Sequence, residues 1–162
     1  MSKTNNSKIY KAAIYLRLSR EDEQTVDGVS FKAESNSITN QRLLIRNFLK
    51  SVSDISQTTD YVDDGYSGSN FDRPSFKSMI EDVRAGKVNC VIVKDFSRFG
   101  REFIESGKYM SQEFPERGVR FISINDHYDS LTADLSETSL TMPIKNLTLS
   151  SKLYLLDKVM SK

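Results

Sequence analysis

Val88-Asn89-Cys90-Val91-Ile92-Val93-Lys94-Asp95 is the stretch on which the fold turns. Apart from Asn89, Val88 to Val93 is an apolar run of strand length that ends in charge. It lacks the alternation of a strand with one wet face, so its pattern is that of a central strand covered on both sides. Such a strand needs helices above and below it. Upstream, Phe76, Met79, Ile80 and Val83 stand at i, i+3, i+4 and i+7, and Gly86 follows where a left-handed helix stop belongs. Downstream, Phe103 to Phe114 has helical character and is closed by Pro115 and Gly118, after which Val119 to Ile124 supplies another buried strand.

Further out, Ile9 to Leu18 reads as a buried first strand, with Tyr10, Ala12, Ile14, Leu16 and Leu18 on one face and Ile9, Ala13 and Tyr15 contributing to the other. Ser19 to Ser35 is polar, carries Asp27-Gly28 and shows no period, and is therefore expected to be a mobile loop. Ile38, Ile45, Phe48, Leu49 and Val52 recur at helical spacing, with Asn36 or Ser37 available as an N-cap. Thr58 to Val62 reads as a short strand that runs into the turn-rich loop Asp63-Asp64-Gly65-Tyr66-Ser67-Gly68. Asn125 to Thr138 is loop-like, and Leu140 to Met160 is mostly helix-compatible, interrupted by Pro143. Strands and helices alternate, which implies an α/β domain around a mostly parallel central sheet of four to five strands flanked by helices, one edge strand reversed. The expected division is a disordered tail over 1–8, a catalytic domain over 9–138 and a C-terminal helical segment over 139–162, either truncated or given to oligomerisation.

The chain has 162 residues, enough for one core without disulfides or a metal. Hydrophobic residues at 38% and charged residues at 28% are those of a globular domain, and no apolar run approaches a membrane span. Met1 to Lys8 is polar and Cys90 is the only cysteine, so a reducing cytoplasm is the expected compartment. A net charge of +1 is low for a protein that must hold DNA alone, since affinity follows the phosphates neutralised. No Cys/His cluster makes a zinc module, lone His127 has no partners for a metal site, and Cys90 reads as a core residue. The chain has the make-up of a catalytic part without its DNA-reading part.

Ligand groups in such a sheet gather beyond the carboxyl ends of the strands. The first strand delivers Arg17 and Ser19, the second Asp64 and then Arg73, and the central strand Lys94, Ser97, Arg98 and Arg101. A hydroxyl ringed by guanidinium groups suits attack on a phosphodiester: serine is a weak nucleophile, the phosphate repels anions, and guanidinium forks pair with its oxygens while keeping their charge. No carboxylate cluster is spaced like a two-metal nuclease site, so a reaction without metal or other cofactor is expected. Taken singly, each residue has a plainer use: Ser19 as a turn cap, Asp64 as turn chemistry, Lys94 as a strand-end charge, Gln41 as a buried amide.

Tyr15-Leu16-Arg17-Leu18-Ser19 resembles the Tyr-x-Arg-x-Ser signature of the resolvase/invertase family of serine recombinases. Ser37-Ile38-Thr39-Asn40-Gln41 resembles the family's Ser-x-x-x-Gln element. Asp64-Gly65-Tyr66-Ser67-Gly68 with Arg73-Pro74 is similar to its second block, and Ser97-Arg98-Phe99-Gly100-Arg101 to its Arg-x-x-Gly-Arg block. The likeness covers roughly Ile9 to Asp126 and implies the three-layer resolvase-like fold. It also implies that Ser19 is the nucleophile, that Arg17, Arg73, Arg98 and Arg101 surround the scissile phosphate, and that Gln41, Asp64, Ser67, Lys94 and Ser97 support the site. The implied partners are double-stranded DNA and further copies of the chain, a dimer going to a synaptic tetramer, with no membrane and no nucleotide. Ser97 stands where small resolvases usually carry an acid, and the loop after Ser19 is longer than theirs. Both features resemble the large serine recombinases of Firmicute mobile elements, as do Asn125 to Ser130 and Met142 to Asn146. A small resolvase or invertase, and a non-catalytic assembly fragment of a recombinase, stay open as alternatives. A generic nucleotide-binding domain is disfavoured, because no glycine-rich phosphate loop follows the first strand.

Overall fold

The computed structural model describes residues 7–18, 23–26, 29–32, 38–67 and 71–133. From edge to edge its principal sheet runs β4 (Ile55–Asp64), β1 (Tyr10–Leu18), β5 (Cys90–Val93), β6 (Arg120–Ser123) and β7 (Tyr128–Asp129), and a separate hairpin pairs β2 (Glu23–Val26) with β3 (Val29–Lys32). Strand β1 (Tyr10–Leu18) lies between β4 (Ile55–Asp64) and β5 (Cys90–Val93), parallel to both. β5 pairs in parallel with β6 (Arg120–Ser123), and the short β7 (Tyr128–Asp129) runs antiparallel to β6, which is the reversed edge strand the sequence suggests.

Both faces of the sheet are covered. Tyr10, Ala12, Ile14 and Leu16 of β1 join Cys90, Ile92 and Ile122 under helix α1 (Ile38–Leu49), which contributes Ile45. The opposite face gathers Ala13, Tyr15, Val91 and Val93 with Phe76, Met79, Ile80 and Val83 of α2 (Pro74–Arg84). Phe96 and Phe99 of α3 (Phe96–Phe99) and the helical run of α4 (Phe103–Lys108), a π-helical turn (Tyr109–Glu113) and α5 (Phe114–Arg117) complete that layer. All four α2 positions picked out by spacing are buried, and Gly86 has φ +73° after the helix.

Several sequence expectations change. The stretch expected to be a loop after Ser19 contains β2 (Glu23–Val26) and β3 (Val29–Lys32), paired antiparallel with Val26 opposite Val29. The Asp27-Gly28 pair between them is favoured for a two-residue hairpin connection. β4 is longer at both ends than Thr58 to Val62, because it accompanies β1 from Tyr10 opposite Ile55 to Leu18 opposite Asp64. As an edge strand it tolerates polar side chains that do not look strand-like in sequence. Asp63 and Asp64 therefore belong to a strand. Ile9 precedes β1 and is exposed. Pro115 does not close its helix, which continues to Arg117 and stops at Gly118, φ +65°. The π turn just before it, closed by the Phe114 N–H donating to the Tyr109 carbonyl, widens the backbone where a proline ring would otherwise crowd the preceding turn. Within the segment 125–138, Tyr128–Asp129 pairs with β6. Lys8, counted with the tail, donates to the Gly118 carbonyl at 2.8 Å. Ser19 and the C-terminal segment 139–162 lie outside the described residues.

Candidate active site

The carboxyl ends of β1, β4 and β5 meet on one edge of the sheet, and buried arginines gather there. Arg17, the penultimate residue of β1, is fully buried. Its Nη2 donates to the Ser97 carbonyl at 2.7 Å, Nη1 to the Tyr66 carbonyl at 3.0 Å and Nε to the Arg98 carbonyl at 3.3 Å. Burial, with Arg98, Arg73 and Arg101 nearby, pushes its guanidinium down to about 10. Arg98 on α3 returns the contact, donating from Nη1 to the Arg17 carbonyl at 3.1 Å. Gln41 on α1 closes the other side of the same residue: its Oε1 accepts from the Arg17 backbone N–H at 3.3 Å and its Nε2 donates to the Arg17 carbonyl at 2.9 Å. Gln41, expected as a supporting residue, thus bonds to the backbone of Arg17, two residues before Ser19.

Arg73, just before α2, is also fully buried. Its guanidinium lies 4.5 Å from the Phe76 ring centroid, 4.8 Å from Phe71 and 5.3 Å from Tyr15, an aromatic box that suits a desolvated cation. It donates to the Phe99 carbonyl at 2.6 Å, the Arg98 carbonyl at 3.3 Å and the Tyr15 hydroxyl at 2.8 Å. Burial lowers its proton affinity, against the opposing influence of Tyr15 and Asp63.

Tyr15 and Asp63 were not singled out as site residues. Asp63 is the buried carboxylate among the described residues. It accepts from the Tyr15 hydroxyl at 2.8 Å and from the Ser75 and Phe76 backbone N–H groups at 3.0 and 2.9 Å, so it caps α2 from a neighbouring strand. The alternation of β4 carried the signal: Tyr61 and Asp63 face the core together, whereas Asp64 is exposed. Burial raises the Tyr15 phenol far above its ordinary range and keeps it a neutral donor.

The α3 segment has acidic anchors of its own. Asp95 accepts from the Arg98 N–H at 3.2 Å and from the Ser97 hydroxyl, and its Oδ1 stands 3.9 Å from Arg98 Nε. Asp126 accepts from the Phe96 N–H at 2.8 Å and the Ser123 hydroxyl at 2.6 Å. Ser97 and Lys94 are partly buried, Ser67 is partly buried, and Arg101 is exposed. Leu18, the residue before Ser19, has its carbonyl held by the Gly65 N–H at 2.6 Å, and Gly65 adopts φ +90°, a conformation that favours glycine. The structure thus brings Arg17, Gln41, Arg73, Ser97 and Arg98 into one bonded network. Among the described residues no group of three His, Cys, Asp or Glu side chains could hold a metal ion, and no helix is long and apolar enough to cross a membrane.

A cluster of guanidinium groups in a low-dielectric interior produces a strong positive potential at the strand ends, the setting in which an anionic transition state is stabilised. Residues 12–144 match the family described as Resolvase, N terminal domain. The chain is 28% identical over 116 residues to the protein named Putative DNA recombinase of Bacillus subtilis (strain 168). That match covers 72% of this chain and 21% of the relative, so the chain corresponds to a minor part of that protein's length. The N-terminal catalytic domain of TP901-1 integrase shares the fold, with a TM-score of 0.66 and 24% identity over 92% of this chain and 98% of that one. A resolvase family site-specific recombinase from Streptococcus pneumoniae superposes with a TM-score of 0.63 and 26% identity over 95% of this chain and 97% of that one. With well over half of its residues matched, the chain belongs to the resolvase family of serine recombinases, through that family's N-terminal domain.

Proposed function

We propose that this domain cuts and rejoins double-stranded DNA in site-specific recombination, with Ser19 as nucleophile. The observation that carries the reading is the burial of Arg17, Arg73 and Arg98 together at the end of the strand that leads into Ser19. Burying charge is expensive, and a fold that keeps several like charges in one place has an anion to meet there.

In the proposed step the Ser19 oxygen bonds to phosphorus, the bond from phosphorus to the 3′-oxygen breaks, the serine proton is lost and the leaving oxygen takes up a proton. The product is a 5′-phosphoserine link that conserves the bond energy, so reversal rejoins the strands without ATP or an external metal. Arg101, exposed, meets the phosphate from the solvent side. Arg98 stands next to it, and Arg17 and Arg73 add their charge from the interior. Gln41 fixes the backbone before the nucleophile, and Asp64, Ser67, Lys94 and Ser97 complete the rim. The partners are recombination-site DNA and further subunits, as a dimer going to a tetramer, in a large serine recombinase of a bacterial mobile element.

The test incubates the full-length protein with labelled DNA from the ends of its element, without added metal, and looks for a covalent protein–DNA adduct under denaturing conditions. The expected adduct disappears with Ser19→Ala. An adduct that persists in that variant moves the nucleophile elsewhere, and none on verified site DNA favours a non-catalytic assembly role.

A further inference from the structure

Of the tyrosines among the described residues, Tyr66 alone is exposed, at 41%. Tyr10, Tyr15, Tyr61 and Tyr128 are buried, and Tyr109 is half-buried. A large ring left in water on a loop is ordinarily held loosely, and this one is not. Its own carbonyl accepts from Arg17 Nη1 at 3.0 Å, and the N–H of the preceding Gly65 donates to the Leu18 carbonyl at 2.6 Å. Two bonds thus tie the backbone on either side of the ring to Arg17 and Leu18, the last two residues of β1, and Ser19 follows them directly. A buried guanidinium is used to fix an exposed phenol.

The phenol brings an O–H donor on a stiff ring with two rotatable angles, so little freedom is lost when it meets a partner. It stands where β1 and β4 end, the edge at which Arg17, Arg73 and Arg98 concentrate positive charge. At the surface of a duplex the bases are stacked out of reach, and the acceptors a side chain meets first are phosphate oxygens, to which tyrosine hydroxyls donate. We propose that the Tyr66 hydroxyl donates to a DNA phosphate next to the scissile one, and so sets the register of the duplex over Ser19. The proposal rests on the recombinase reading above. A neutral donor suits this place, because it grips a phosphate without adding another like charge beside the three arginines. Such a contact positions DNA and reads no base, so its effect is the same on sites of different sequence.

The experiment measures DNA affinity of the full-length protein in its Ser19→Ala form, which separates binding from cleavage, with and without Tyr66→Phe. The DNA carries a single methylphosphonate at each position flanking the scissile phosphate in turn. Tyr66→Phe keeps the ring and removes only a hydroxyl that has no partner among the described residues, so the fold has no bond to lose with it. The variant is expected to bind unmodified DNA about 10-fold more weakly, with the slope of affinity against salt unchanged because the lost contact is neutral. Arg101→Gln is expected instead to flatten that slope by about one. At one flanking position the penalty of the methylphosphonate is expected to be about 10-fold smaller in Tyr66→Phe than in its parent. Parental affinity in Tyr66→Phe overturns the proposal, and so does an equal methylphosphonate penalty at every position. A salt slope flattened as in Arg101→Gln overturns it too, since the loss would then follow a displaced guanidinium. The adduct formed by the protein with Ser19 intact scores the recombinase reading by itself, so the two failures are told apart.

Discussion

Gln41 grips one neighbour from both ends of its amide, accepting from the Arg17 N–H and donating to the Arg17 carbonyl. Gln41→Ala leaves a buried donor without its acceptor and weakens satisfaction of a carbonyl, and is expected to cost about 2 kcal/mol, read from the urea midpoint. Cys90 is the opposite kind of residue, polar in name and inert in place. Burial pushes its thiol up to about 12 from 9.0. The unfolded thiol ionises from about pH 9 upward while the native one stays protonated, so its contribution to stability is complete below pH 9 and is lost as pH climbs towards 12. At pH 8 a thiol reagent is expected to leave native Cys90 unmodified and to label it once denaturant is added. The arginines were legible as residue types at strand ends, but their burial was not, because sequence records charge and leaves unstated the carbonyls of Ser97, Tyr66, Arg98 and Phe99 that make burial bearable. Asp63 and Asp64 look alike as turn residues in the sequence, and only the alternation of β4 tells the buried one from the exposed one.

At the scale of elements, periodicity served best where one face is dry. The spacing of Phe76, Met79, Ile80 and Val83 gave α2, and the apolar run before Lys94 gave β5. It served less well for the β2–β3 hairpin, whose polar strands pair only with each other, and for the run from α4 to α5, where a π turn lets a helix pass a proline. The join between α3 and α4 depends on space. At Gly100 an added Cβ would come within 2.8 Å of Phe71 Cε1 and of Ser106 Oγ, while the backbone itself is extended and open to any residue. Gly100→Ala is therefore expected to destabilise the domain by about 1–3 kcal/mol by displacing the Phe71 ring, and the thermal midpoint measures it. Because Phe71 also walls the Arg73 box, the same change is expected to slow DNA cleavage.

Across the whole molecule, the two ends of the sheet do different work. The carboxyl end holds the arginine network, and the amino end is pinned by Arg120. That side chain makes a two-pronged pair with Asp129 at 3.0 and 2.6 Å, reaches Asp54 at 2.8 Å and lies 5.1 Å from the Tyr10 ring centroid. The flanking carboxylates raise its proton affinity. Arg120→Met strands both aspartates and is expected to cost about 3 kcal/mol while leaving the rate of adduct formation unchanged, as denaturation and single-turnover cleavage together would show. The strand order has a further consequence. β1 is paired on both sides, yet both of its partners, β4 and β5, come later in the chain. On the ribosome it emerges with two apolar faces and no neighbour, and Ala12 meets Cys90 only after two helices and three further strands have been made. Pairings so distant along the chain slow folding and lengthen the exposure of sticky surface, so the strand that leads into Ser19 is made before both of its neighbours and sheltered only after them, a natural client for a chaperone.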